Sequence, residues 1–76
     1  MPHIALKIAA GRTESQKTRI AEALATALSA EAGCADSAIS VSIEDVETAD
    51  WVEHVYKPDI LGKWDQVYKK PGYDPL

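Results

Sequence analysis

Cysteine is nearly absent from this 76-residue chain: Cys34 stands alone, so no internal disulfide can form, and no Cys/His cluster is spaced for a structural zinc. No apolar run approaches the roughly 18 residues that a membrane span needs, and no basic region followed by an apolar stretch opens the chain. Basic residues are outnumbered, 8 against 12 acidic, for a net charge of −4. Apart from Lys69-Lys70 they are scattered, which argues against a nucleic-acid partner, because such binding depends on neutralising phosphates. Repeats, linkers and low-complexity segments are also missing. These absences point to a soluble protein of the reducing cytoplasm, with neither membrane nor nucleic acid as partner.

What is present packs: 46% of the residues are hydrophobic and 26% charged, the composition of one globular domain spanning residues 1–76. The length is a difficulty, since so short a chain buries only about 60% of the surface it exposes when unfolded. Ordering each residue costs about 1.5 kcal/mol, so the core alone ends near break-even. With disulfide and metal excluded, self-association is the remaining source of stability.

Ile4, Leu6 and Ile8 alternate with His3, Ala5 and Lys7, the period of a strand with one buried face. Gly11-Arg12 breaks the pattern, and Thr13-Glu14-Ser15-Gln16 reads as a capping box. An alanine-rich helix follows to Ala32, with Ile20, Leu24, Ala27 and Leu28 at helical spacing, and Gly33 is placed to end it. Alternation resumes at Ser37, with Ile39, Val41 and Ile43 on one face and Ser40 and Ser42 on the other. Asp50 and Glu53 form a second cap pattern, opening a short helix that Pro58 is expected to stop. Asp59 is expected to start another, with Ile60, Leu61, Trp64, Val67 and Tyr68 in one stripe up to Pro71-Gly72. The expected fold is α/β: a βαβ subunit with two parallel strands, one long helix and a C-terminal helical extension, completing a larger sheet by oligomerisation.

Chemistry is expected at the start of the chain. Removal of Met1 before the small Pro2 would leave a secondary amine, and a neutral amine is a base. An ordinary α-amino group has a pKa near 7.7 to 8.0, and an apolar pocket or a nearby cation lowers it. Trp51 could supply the first effect and Arg12 the second.

Pro2 opening a short strand, Gly11-Arg12 closing it, the helix start Thr13-Glu14-Ser15-Gln16-Lys17, the second strand and an aromatic residue at position 51 together resemble the 4-oxalocrotonate tautomerase family. The likeness runs in register without gaps over about the first fifty residues. The tail with Lys69-Lys70-Pro71-Gly72-Tyr73 is similar to that of the longer, dimeric members. The resemblance implies a cofactor-independent isomerase, without metal, in which Pro2 shuttles a proton on an enol or dienol of a 2-oxo acid. It further implies that Arg12 binds carboxylate and that Trp51 keeps the site apolar. A base near pKa 7 transfers protons well in both directions, and a planar guanidinium suits a carboxylate.

One position departs from the family pattern. Ser40 aligns with a second family arginine, so a dicarboxylate such as 2-hydroxymuconate should bind poorly and a monocarboxylate enol such as phenylenolpyruvate better. A charge-assisted hydrogen bond contributes roughly 1.5 to 3 kcal/mol. His3, on the face opposite the helix, is expected to line the pocket or an interface. Blander roles are expected elsewhere: packing or exposure for His54, core or dimer contact for Trp64 and Tyr68, inertness for Cys34. Glu44 and Asp45, as strand neighbours, should point to opposite faces. Two alternatives stay open: a non-catalytic oligomeric binding protein, if Met1 is retained, and a hydratase- or dehalogenase-like activity on unsaturated acids.

Overall fold

In the computed structural model, which describes residues 1–76, the capping box closes as expected. Thr13 Oγ1 accepts from the Gln16 amide at 3.1 Å, and the Thr13 amide donates to Gln16 Oε1 at 2.9 Å. From this start α1 runs Glu14–Ala32 and ends on Gly33, whose φ of 70° lets its amide donate to the Ser29 carbonyl. The half-buried stripe of α1 is Lys17, Ile20, Ala21, Leu24, Ala25, Leu28 and Ser29, the spacing of one helical face. Ala27, expected on that face, is exposed.

Strands β1 (His3–Ala9) and β2 (Ser40–Val46) pair in parallel, His3 opposite Ser40 and Ala9 opposite Val46. One further hydrogen bond extends the ladder at each end, from the Ser40 amide to the Pro2 carbonyl at 3.3 Å and from the Ala10 amide to the Val46 carbonyl at 2.9 Å. The second strand begins later than its alternation suggested, because residues Asp36–Ala38 form a 3-10 turn. Helix α1 covers the face carrying Ile4, Leu6, Ile8, Val41 and Ile43. Lys17 reaches from it to Asp45 at 2.8 Å on that face. Glu44, on the opposite face, pairs instead with His54 at 2.7 Å, so the two acidic neighbours diverge as period-2 geometry requires.

The C-terminal extension is helical but departs from the expected breaks. Asp50 lies inside a 3-10 turn, Thr48–Asp50, and caps nothing with its side chain. Pro58 does not stop the next element: a π-helix, Val52–Ile60, runs through it. In an α-helix the proline ring would press on the carbonyl one turn back, and the wider π turn relieves that clash. A 3-10 stretch, Leu61–Gln66, follows with a kink at Lys63 and ends before Val67, which is extended. The helix expected to continue to Pro71 is therefore cut short. Leu61, Trp64 and Tyr68 are exposed rather than packed in a core.

Only Val46, Val55 and Tyr56 are deeply buried, where the π-helix meets the sheet face away from α1. The subunit exposes 5572 Å², against about 4,500 Å² for a typical folded monomer of this mass. The excess, about 1,000 Å², resembles the roughly 800 Å² that each partner contributes to a standard protein interface. No helix is long and apolar enough to cross a membrane.

Candidate active site

Parallel pairing brings the first residues of β1 beside the first residues of β2. Pro2 is half-buried there, while Met1 is fully exposed. His3 and Ser40 are register partners on the face away from α1, and His3 Nδ1 lies 2.7 Å from Ser40 Oγ. The other ring nitrogen, Nε2, is 3.5 Å from Ser42 Oγ. Two hydroxyls, each able to donate or accept, suit either tautomer of a neutral imidazole. His3 and Ser40 thus form one cluster, tied to Pro2 only through the Pro2 carbonyl, which accepts from the Ser40 amide. Ser42 joins it, two residues beyond Ser40 as strand periodicity allows.

Arg12 stands at the other end of the strand. Gly11, at φ 123°, makes the turn out of β1, a conformation that side chains disfavour. Arg12 Nη1 donates to the Ala9 carbonyl at 2.9 Å, leaving the guanidinium exposed on a shallow surface with Gln16, Arg19, Ile20 and Ala23. Seven strand residues at about 3.3 Å each separate it from Pro2 of its own chain by roughly 20 Å.

Trp51 occupies a third place, at the start of the extension. Its Nε1 donates to Tyr73 Oη at 2.9 Å, a contact across 22 residues that no local pattern announces. Tyr73 in turn lies against Tyr56, ring centroids 5.8 Å apart, and burial pushes the Tyr56 phenol up, helped by nearby Asp74. Trp51 lines an open groove of about 410 Å³ with Ala5, Lys7, Val55, Asp59, Ile60 and Lys63. Ala5 belongs to the same sheet face as His3. Lys7 donates to Asp59 Oδ2 at 2.5 Å, each side chain about a third exposed. This hydrogen bond holds the Asp59 carboxyl below its ordinary range and the Lys7 ammonium above its own.

A second groove, of about 420 Å³, has the opposite character: Glu44, Asp45, Val46, Glu47, Asp50, Glu53 and His54 line it. No three His, Cys, Asp or Glu side chains converge as metal ligands would. Within one subunit, then, His3 and Ser40 are together with the Pro2 backbone beside them, Trp51 lies farther along their face, and Arg12 is remote.

Comparison with known families gives a match over residues 2–56 to the family described as "Tautomerase enzyme". Among curated relatives, the "Probable tautomerase" of Xylella fastidiosa (strain 9a5c) is 43% identical over 76 residues, 100% of this chain and 93% of its own. "Tautomerase PptA" of Pectobacterium carotovorum subsp. carotovorum (strain PC1) is 38% identical over 74 residues, 96% of this chain and 97% of its own. "Tautomerase PptA" of Enterobacter sp. (strain 638) is 34% identical with the same coverage.

Proposed function

The chain belongs to the tautomerase family of isomerases, and from that premise we propose that it interconverts enol and keto forms of 2-oxo acids without a cofactor, Pro2 carrying the proton. Met1, fully exposed, is open to removal, which turns the Pro2 amide into a secondary amine. In ketonisation of a monocarboxylate enol such as phenylenolpyruvate, the nitrogen takes the proton from the 2-hydroxyl and returns one to C3. Nothing is gained or lost overall. A single base serving both positions makes the transfer suprafacial.

The supporting observation is that Pro2 leads into β1 at the open end of the sheet, its carbonyl accepting from the Ser40 amide, with His3 and Ser40 hydrogen-bonded to each other beside it. Ser40 offers a hydroxyl and no charge, so the site favours one carboxylate over two. Arg12, some 20 Å away along its own strand, serves the Pro2 of a second subunit as carboxylate anchor. Trp51 closes the apolar side. The surplus exposed surface supports assembly, with a cytoplasmic homodimer as the expected form. The hydratase-like alternative is not favoured: the carboxylates on this face, Glu44 and Asp59, are held by His54 and Lys7.

The test is the ketonisation rate of phenylenolpyruvate with the processed chain and with Pro2→Ala. A loss of about 10²- to 10⁴-fold in kcat is expected from removing a proton carrier. Equal rates would overturn the assignment.

A further inference from the structure

The Ser40 hydroxyl has a single proton, and the ring of His3 competes for it. Ser40 Oγ lies 2.7 Å from His3 Nδ1, a full hydrogen bond. If Ser40 donates to the ring, it turns only lone pairs toward a substrate. If Nδ1 carries the hydrogen, the ring donates to Ser40 and the hydroxyl proton is left to point outward. A neutral imidazole has one N–H, so this second arrangement makes Nε2 an acceptor that needs a donor. Ser42 Oγ, 3.5 Å from Nε2, is the hydroxyl in place to donate there, through a longer and weaker contact. Three exposed side chains on the paired strands therefore allow a chain of donors running in one direction, from Ser42 to His3, from His3 to Ser40, and from Ser40 outward. The charged groups farther along this face pair elsewhere, Glu44 with His54 and Lys7 with Asp59.

The chemistry decides between the two directions. In ketonisation the 2-oxygen gives up its proton and ends as a carbonyl, so negative charge gathers on it in the transition state. Lone pairs facing it would repel that charge, whereas a donor already in place lowers the barrier. Ser40 is near enough to supply one. Its amide bonds to the Pro2 carbonyl at 3.3 Å, neighbouring strands lie about 4.8 Å apart, and the 2-oxygen sits on the carbon next to C3. A hydroxyl that already accepts from Nδ1–H is also a better donor, because hydrogen bonds in a chain polarise one another.

We infer that His3 and Ser42 are positioning residues, which hold the Ser40 hydroxyl proton outward for the 2-oxygen of the substrate. The inference rests on the reading of Pro2 given above. It gives the uncharged Ser40 a part in the reaction that needs no second carboxylate, and His3 acts through Ser40 without touching the substrate.

The experiment is a double-mutant cycle on ketonisation of phenylenolpyruvate by the chain beginning at Pro2. Ser40→Ala should lower kcat by about tenfold and His3→Phe by about three- to tenfold, each with KM nearly unchanged, because the contact strengthens in the transition state. The double variant should be no slower than Ser40→Ala alone, since His3 has nothing to act through once the hydroxyl is gone. Ser42→Ala, the mildest change, should cost about two- to threefold. Losses that multiply in the double variant, or that fall on KM with kcat intact, would overturn the inference and leave Pro2 as the base. A measurement without turnover separates the two readings. Benzoylformate, a 2-oxo acid that cannot enolise, is added to Pro2→Ala and the ring nitrogens of His3 are followed by NMR. In the complex Nδ1 should carry the hydrogen and Nε2 accept, and the same ligand should leave the ring unchanged once Ser40→Ala is added. A ring in the Nε2–H form in the complex would contradict the inference whether or not Pro2 is the base.

Discussion

The two ends of the sheet's outer face are built differently. At the end nearer the C-termini of the strands, Val46 is buried beneath Val55 and Tyr56, Lys7 is clamped to Asp59 and Glu44 to His54. At the other end His3, Ser40 and Ser42 stand exposed, with only hydrogen bonds among themselves. The C-terminal extension has thus covered half of a face that a two-stranded subunit would leave bare, and it stops short of Pro2. Stability is gathered at the covered end. The open end leaves its polar groups exposed.

If the open end is completed by a neighbour, Arg12→Ala should lower kcat/KM by about tenfold or more, the loss of a charge-assisted carboxylate contact. Mixing inactive Pro2→Ala with Arg12→Ala chains gives a sharper result. In a two-fold dimer whose sites draw on both chains, random reassortment restores about a quarter of the unaltered activity. No recovery on mixing would show that each chain completes its own site. A smaller effect is expected when the open end is given charge. Ser40→Arg should shift the preference toward 2-hydroxymuconate, relative to phenylenolpyruvate, by about tenfold, read from the ratio of kcat/KM values. An unchanged ratio would remove Ser40 from the substrate's reach.

The smallest effect belongs to the covered end. Asp59 has a lowered pKa in the folded chain, so its pairing stabilises above the ordinary carboxylate value of about 3.9 and is lost as pH falls through the lowered value. Lys7 has a raised one, so its contribution is complete below about 10.4 and is lost as pH rises through the raised value. The melting temperature of Asp59→Asn should therefore lie a little below that of the unaltered chain between about pH 4 and pH 10, the gap closing on either side. Both side chains are about a third exposed, which keeps the gap small. A gap that persists unchanged to pH 2 would contradict the pairing.

The same division marks what the amino-acid order made legible. Thr13 with Gln16, Gly33, and the alternations of Ile4, Leu6 and Ile8 against Val41 and Ile43 act over a few residues, and their elements formed as expected. The extension was harder to read. Asp50 and Glu53 have the spacing of a cap but fall across a 3-10 turn and the start of a π-helix. Pro58 is a breaker only for α-geometry. The Trp51–Tyr73 contact and the Lys7–Asp59 pair join residues far apart in sequence, where no periodicity reports. For the site, the closeness of His3 and Ser40 follows from parallel register. The separation of Arg12 from Pro2 follows from strand length alone, and under the proposed function it draws the constellation from two chains.

The most direct measurement concerns the terminus. Intact mass fixes whether Met1 is present, and ketonisation of phenylenolpyruvate is then followed for the chain with Met1 removed and for the same chain with it retained. Activity confined to the chain beginning at Pro2 is the expected result. Equal activity with Met1 in place, where the Pro2 nitrogen is an amide, would contradict a proline base.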